Sequence, residues 1–196
     1  MSTLLVRATR LLWVAALIPA AAQAQLSELH FGAIGSFGTG DAYQAGAGLT
    51  ASYSPGRLAY MGLRWIYYFG STAQLTDTTG SYDVSTRAQL FAADLGLEFP
   101  VGKLEIVGGM TIGAVRFWQG TTPVATPAAA PIGAIATEFM IAPTVLVEIR
   151  AGPIMFIPQV AYYFSGSPDL RWPVDHDGLA LSLLLVIPIE TDRIRY

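Results

Sequence analysis

The sequence predicts an all-β fold, an eight-stranded antiparallel up-and-down transmembrane β-barrel, on three observations. Apolar and polar residues alternate with a period of two through segments of roughly 10 to 12 residues. That is longer than an ordinary strand and matched to a tilted strand crossing a hydrocarbon layer. Hydrophobic residues make up 53% of the 196-residue chain and charged ones only 13%, with a mean hydropathy of +0.46. Past the N-terminal leader, no stretch reaches the roughly 18 uninterrupted apolar residues of a membrane helix. Finally, short and long connections alternate along the chain, as in a barrel with short turns at one rim and long loops at the other.

The clearest hairpin spans Glu138 to Gly166. Phe139, Ile141, Pro143, Val145, Val147 and Ile149 form an apolar face, while Glu138, Met140, Ala142, Thr144, Leu146, Glu148 and Arg150 form a mixed one. After an Ala151-Gly152 turn, Ile154, Phe156, Pro158, Val160, Tyr162 and Phe164 alternate with Met155, Ile157, Gln159, Ala161 and Tyr163. Pairing Arg150 with Pro153 sets Glu148 opposite Met155 and Thr144 opposite Gln159, so the two mixed faces coincide.

The other strands follow the same logic. Glu28 to Phe37 alternates Leu29, Phe31, Ala33 and Phe37 with His30, Gly32, Ile34 and Ser36, and turns at Gly38 to Asp41. In the second strand, Ala42 to Tyr53, Tyr43, Ala45, Ala47, Leu49, Ala51 and Tyr53 share one face, and the small inner residues suit a narrow barrel. Ser54-Pro55-Gly56 turns the chain into a third strand, Arg57 to Gly70, with Arg64 inward. The polar stretch Ser71 to Ser85 reads as a long exposed loop. The fourth strand, Thr86 to Phe99, carries Asp94 and Glu98 inward and turns at Pro100 to Lys103. In the fifth, from Leu104, Glu105 points inward, and Arg116 falls on the lipid parity, at headgroup level or beside a bulge. Thr121 to Ala136, rich in Pro, Ala and Thr, reads as a mobile loop. Ser167 to Asp177 is the last long loop, and Gly178 to Ile189 the eighth strand.

Met1 to Ala24 reads as a secretory signal peptide. Arg7 and Arg10 precede the apolar run Leu11 to Ile18, and Ala22-Gln23-Ala24 is a small-x-small cleavage site. Residues 25–189 are then the barrel and 190–196 a polar tail. Loss of Arg7 and Arg10 leaves 9 basic against 14 acidic residues, a net charge of about −5. With Lys103 the sole lysine, no basic patch tracks a phosphate backbone, so nucleic-acid binding is not expected. The absence of cysteine excludes a disulfide framework and a lipid anchor on Cys.

Charges inside a narrow barrel must pair, because isolated burial is costly. Arg64, Asp94, Glu98, Glu105 and Glu148, with Glu138 and Arg150, are therefore expected to form a structural lumen network, Arg64 neutralising Asp94 or another inward acid. Glu98 and Glu105 are expected to face each other across their turn. Trp65, Tyr67, Phe69, Phe117, Trp118, Tyr162 and Phe164 end the upward strands as an external aromatic girdle; Tyr53, Tyr60, Phe99 and Phe156 would make a thinner one at the other rim. Asp175-His176-Asp177, with Ser165 and Ser167, has the residue types of a hydrolytic site or a partial metal site. The simpler reading is a solvated loop, with no catalytic residue, cofactor or metal. His30 reads as a lumen hydrogen-bonder.

On this architecture, which covers the whole mature chain, the sequence resembles the small eight-stranded outer-membrane barrels of Gram-negative-type bacteria, the OmpA and OmpX kind. The resemblance implies a bacterial outer-membrane location after cleavage near Ala24. It also implies contact with outer-membrane lipid, lipopolysaccharide and the assembly machinery, and a monomer. Such barrels commonly end on an aromatic that closes the last strand. Here Pro188 precedes Glu190 to Arg195 and only Tyr196 is aromatic, so the strand is expected to stop early or to break. The expected role is structural or surface-interacting, with a plugged lumen. The alternatives are a narrow porin-like ion channel, a lipid-modifying enzyme, or a soluble lipocalin-like barrel with the apolar parity inside.

Overall fold

The computed structural model describes residues 27–102, 104–125 and 132–191. The leader and its cleavage site, Lys103, and the tail from 192 onward lie outside the described residues. Eight strands form one closed antiparallel ring in chain order: β1 (Glu28–Gly38), β2 (Ala45–Ser54), β3 (Ala59–Asp77), β4 (Gly80–Val101), β5 (Leu104–Pro123), β6 (Ile132–Ala151), β7 (Ile154–Ser165) and β8 (Gly178–Glu190). The ring closes where β1 pairs with β8 from Glu28↔Glu190 to Gly38↔Ala180. Within the ring every strand thus has two neighbours and no open hydrogen-bonding edge, while the ends of β3 and β6 that project past β2 and β7 are paired on one side. The last strand runs unbroken to Glu190 despite Pro188.

The two faces of the wall are chemically opposite. Phe31, Leu63, Phe91, Phe139 and Leu181 stand outward, each about half or more exposed, whereas Thr50, Arg64, Asp94, Thr111, Gln159 and Ser182 are buried inside. A soluble barrel has the reverse arrangement. A continuous apolar belt of this extent is far larger than the patches that water-soluble monomers show. The lipocalin-like alternative therefore fails on the direction of the side chains.

The three short turns use glycine with positive φ: Gly56 (58°), Gly102 (65°) and Gly152 (66°). One 3-10 turn, Pro55–Arg57, precedes β3, which begins at Ala59 and not at Arg57. In the β6–β7 hairpin Ala151 pairs with Ile154 and Arg150 with Met155, two residues away from the register expected from an Arg150–Pro153 pair. The turn is Gly152-Pro153, not Ala151-Gly152, and because the offset is even every side chain keeps its face.

At the opposite end the expected loops are largely strand. Ser71 to Ser85 is a paired extension of β3 and β4 closing at Asp77↔Gly80, and β5 and β6 stay paired out to Thr121↔Ile132. Of the Thr121–Ala136 stretch, residues 126–131 lie outside the described residues. Beyond the lipid both faces of a strand meet water, so the apolar alternation vanishes while Thr, Tyr and Val retain their strand preference. A bulge marks the transition: the β3–β4 register shifts between Tyr68 and Ser71. There Gly70 has φ +70°, and a Cβ would lie 1.6 Å from the Thr86 carbonyl oxygen. Around Arg116, by contrast, the ladder is continuous on both sides, so that residue faces outward without a bulge.

Candidate functional site

The interior is organised in three layers. In the middle, Arg64 of β3 lies within a row set by Gly62↔Asp94 and Arg64↔Ala92, which places Asp94 diagonally beneath it. Arg64 donates from Nε (2.8 Å) and Nη2 (2.5 Å) to Asp94 Oδ2, and from Nη1 to Gln159 Oε1 of β7 (2.6 Å). Thr111 of β5 donates to the second carboxylate oxygen (2.5 Å) and shares a hydrogen bond with Thr144 of β6 (3.0 Å). Arg64 and Asp94 are each 3% exposed. One guanidinium thus joins opposite walls of the barrel, and five consecutive strands contribute to its hydrogen-bonded cluster.

The layer at the short-turn rim holds the acids. Arg150 of β6 reaches across the mouth to donate to both oxygens of Glu28 on β1. His30 sits between Ser52 Oγ (3.1 Å) and the same Glu28 carboxylate (3.3 Å), the lumen hydrogen-bonding role expected of it. Glu28 itself was missing from the expected inward set, although it shares parity with His30. Glu98 and Glu148 are buried, and Glu105 is half-buried. Glu98 stands opposite Val107, not Glu105, because Val101 pairs with Leu104 and the turn lies one residue later than sequence symmetry suggests. The acid facing Glu105 is instead Glu148. With Arg150 and Met155 these two line a polar recess of about 330 Å³.

At the other end aromatics pack against one another inside the barrel. Tyr43 packs edge-on against Tyr68 (5.3 Å between centroids) and Tyr163 (5.2 Å), and at 6.1 Å from Phe117. The Tyr68 and Tyr163 hydroxyls share a 3.0 Å hydrogen bond, and Ser36 links Tyr68 (3.0 Å) to Ser182 (2.9 Å). Three expectations are corrected. Phe117 is fully buried, not part of the external girdle, since it shares the inward parity of Val115 and Gln119. Tyr43 precedes β2, which starts at Ala45, and is folded inward by the preceding loop instead of following strand parity. Tyr60, which shares the inward parity of Arg64, is a lumen residue and does not belong to the thinner rim.

Above this layer, residues 166–177 fold over the mouth. Gln119 holds the segment by a two-way amide contact with the Trp172 backbone (3.1 and 3.0 Å), while Leu170 and Val174 pack onto the core. Tyr82 of the projecting sheet stacks 5.8 Å from Trp172 and lies under the Arg171 guanidinium. Ser165 donates its hydroxyl to the His176 carbonyl (2.9 Å) and accepts nothing from the ring, whose Nδ1 faces Val174 O (3.0 Å). Asp177 receives the Ser165 amide (2.8 Å). These contacts fasten a loop; they do not set a nucleophile against a base.

On the outer wall Tyr67 packs on Phe69 (5.7 Å) and Trp118 (6.4 Å), and Tyr162 on Phe164 (4.7 Å), with Trp65 on the same face. Arg116 lies over Trp118.

This combination of apolar wall, packed polar lumen, short turns at one rim and projecting strands at the other has close structural parallels. The fold is that of the small bacterial outer-membrane barrels. A major outer membrane protein of Thermus thermophilus superposes with a TM-score of 0.61 at 13% identity, over 83% of this chain and 99% of that one. The attachment invasion locus protein Ail of Yersinia pestis, solved with the heparin analogue sucrose octasulfate, gives 0.52 at 11% over 83% and 97%. Neisserial surface protein A gives 0.51 at 9% over 84% and 96%. No protein-family model and no curated sequence matches the chain.

Proposed function

We propose that the protein is a monomeric bacterial outer-membrane barrel with a closed lumen that acts at the cell surface through its projecting sheet and loops. The observation that carries this reading is the Arg64 cluster. A guanidinium bonded to Asp94 on one side and Gln159 on the other occupies the middle of an eight-stranded barrel, whose interior is just wide enough for side chains to fill. The Tyr43 layer and the 166–177 segment obstruct the same path. The apolar wall and the likeness to outer-membrane barrels support the location, with the short turns periplasmic and lipopolysaccharide and the assembly machinery as the partners such a location brings.

What remains available for recognition is the outer end. There β3 to β6 rise as a continuous sheet, and Asp41, Asp77, Asp83, Asp169 and Asp175 are exposed against Arg171. At the tip, Asp77 accepts from the Thr79 hydroxyl and amide and the Gly80 amide, which hold its carboxyl below the usual range and keep it charged. The sulfated sugar bound to the Yersinia barrel is a poor guide for this acidic end; a basic partner fits its charge.

Planar-bilayer recording of the refolded protein tests the closed lumen: no unitary current is expected, and sustained openings would refute it. Binding of bilayer-embedded protein to a polycationic peptide and to a sulfated polysaccharide tests the surface. The cationic probe should bind and lose affinity on Asp77→Asn with Asp83→Asn, whereas preference for the sulfated one would overturn the reading.

A further inference from the structure

The outer wall carries two cations that the barrel itself does not use. Arg87 on β4 and Arg116 on β5 are exposed on the outward parity. Arg87 pairs with Trp118 and Gln89 with Arg116, so the two arginines are diagonal neighbours on one face. Such neighbours have side chains roughly 7 to 8 Å apart at their bases, within reach of one shared anion for a residue as long as arginine. Among the described residues neither guanidinium forms an ion pair with a carboxylate; Arg116 is steered by the Trp118 ring, 5.2 Å away. Asp83, the next outward acid on β4, lies four residues further out, about 13 Å along the strand. Two like charges side by side at the edge of an apolar belt are unfavourable unless an anion joins them.

Lower on the wall, across β2 to β4, the surface is indented. A furrow of about 810 Å³, within the size range of small-molecule clefts, is lined by Leu49, Ala51, Leu63, Trp65, Phe91 and Ala93. It exists because Ala51 and Ala93 are short where their neighbours are large. Phe91, on its upper rim, pairs with Ala114, two residues below Arg116. The furrow, lined mostly by β2 and β3, thus reaches beneath the arginines through Phe91 and Ala93 of β4 and Ile112 of β5, four to six residues lower on the strands that carry them. Gln89 and Thr137 flank Arg116 in its row as further hydrogen-bonding groups.

We propose that this is a binding site for one membrane lipid bearing a phosphomonoester, its phosphate held between Arg87 and Arg116 and an acyl chain lying in the furrow. Guanidinium forks match phosphate oxygens bidentately. A monoester carries about −1.5 to −2 charges near neutral pH, so it neutralises both arginines where a phosphodiester, with a single charge, leaves one uncompensated. The site rests on the wall facing lipid, as the proposed function holds.

The test is native mass spectrometry of the refolded chain released from phosphatidylcholine nanodiscs doped equally with phosphatidic acid, a monoester, and phosphatidylglycerol, a diester. The parent should retain phosphatidic acid over phosphatidylglycerol by roughly tenfold, a difference of about 1.4 kcal/mol. Arg87→Gln with Arg116→Gln should bring that ratio near one, and Ala93→Leu, which fills the furrow and leaves the arginines, should lower retention. Millimolar inorganic phosphate should not displace the lipid. Equal retention by the parent, an unchanged ratio in the double variant, or displacement by free phosphate would each overturn the site. A parent that inserts into the bilayer and shows no preference overturns the site alone; a parent that does not insert overturns the membrane reading with it.

Discussion

Arg64 shows how one buried charge can tie opposite walls of a barrel together. Its three donor contacts reach two walls, and removing it strands Asp94 at 3% exposure with the Thr111 hydroxyl its one remaining donor among the described residues. Breaking one member of a buried pair costs about 3 to 5 kcal/mol, because the remaining charge stays desolvated. Arg64→Ala should therefore lower the urea midpoint of the refolded protein markedly, and adding Asp94→Asn should restore part of the loss. A single variant as stable as the parent would contradict this. The diagonal contact was legible in the sequence, since a barrel's stagger brings inward residues of neighbouring strands level. The Gln159 contact was not, because nothing local relates β3 to β7 across a lumen. Glu98 and Glu105 show the limit of residue-level inference: moving the turn by one position changed the partner of each without changing its face.

At the scale of the strand, the sequence disclosed what the lipid imposes and concealed what water permits. Parity was readable wherever one face meets hydrocarbon, and there it separated the inward face of each membrane-crossing segment from the outward one. The projecting parts of β3 to β6 carry no such imprint, so their polar Thr- and Ser-rich stretches read as loops. Phe117 was misassigned by its aromatic neighbours although strand parity placed it inside, and Tyr43 lies before its strand, where parity has no meaning. Gly70 is the joint between the two regimes. A side chain there must abandon the positive φ and clear the Thr86 carbonyl, a strain of about 1 to 3 kcal/mol. Gly70→Ala should raise amide exchange in residues 71–86 while leaving exchange in β7 and β8 unchanged. Equal protection in both proteins would show that the bulge is not needed for the projecting hairpin.

For the whole molecule, the decisive quantity is the mismatch between its wall and water. Side chains such as Phe31, Leu63, Phe91, Phe139 and Ile187 expose about half or more of their surface. At about 25 cal/mol per Å² of apolar area, each such aromatic or leucine favours hydrocarbon by roughly 1 to 3 kcal/mol over water. The closed ladder at the same time satisfies the strand backbone internally, so the barrel resists unfolding inside the bilayer but has no reason to stay dispersed outside it. The refolded protein should require detergent or lipid to remain in solution. It should migrate faster on gels before boiling than after, since an unboiled closed ring stays compact in the presence of dodecyl sulfate. Charged substitutions on the wall should be depth-dependent: Leu63→Arg, in the apolar belt, should cost about 2 to 4 kcal/mol of refolding stability, whereas Thr137→Arg, in the Arg116 row at the girdle, should cost about 1 kcal/mol or less. Equal effects at the two positions would mean that the wall meets a uniform solvent, and with it the membrane orientation of the barrel would fall.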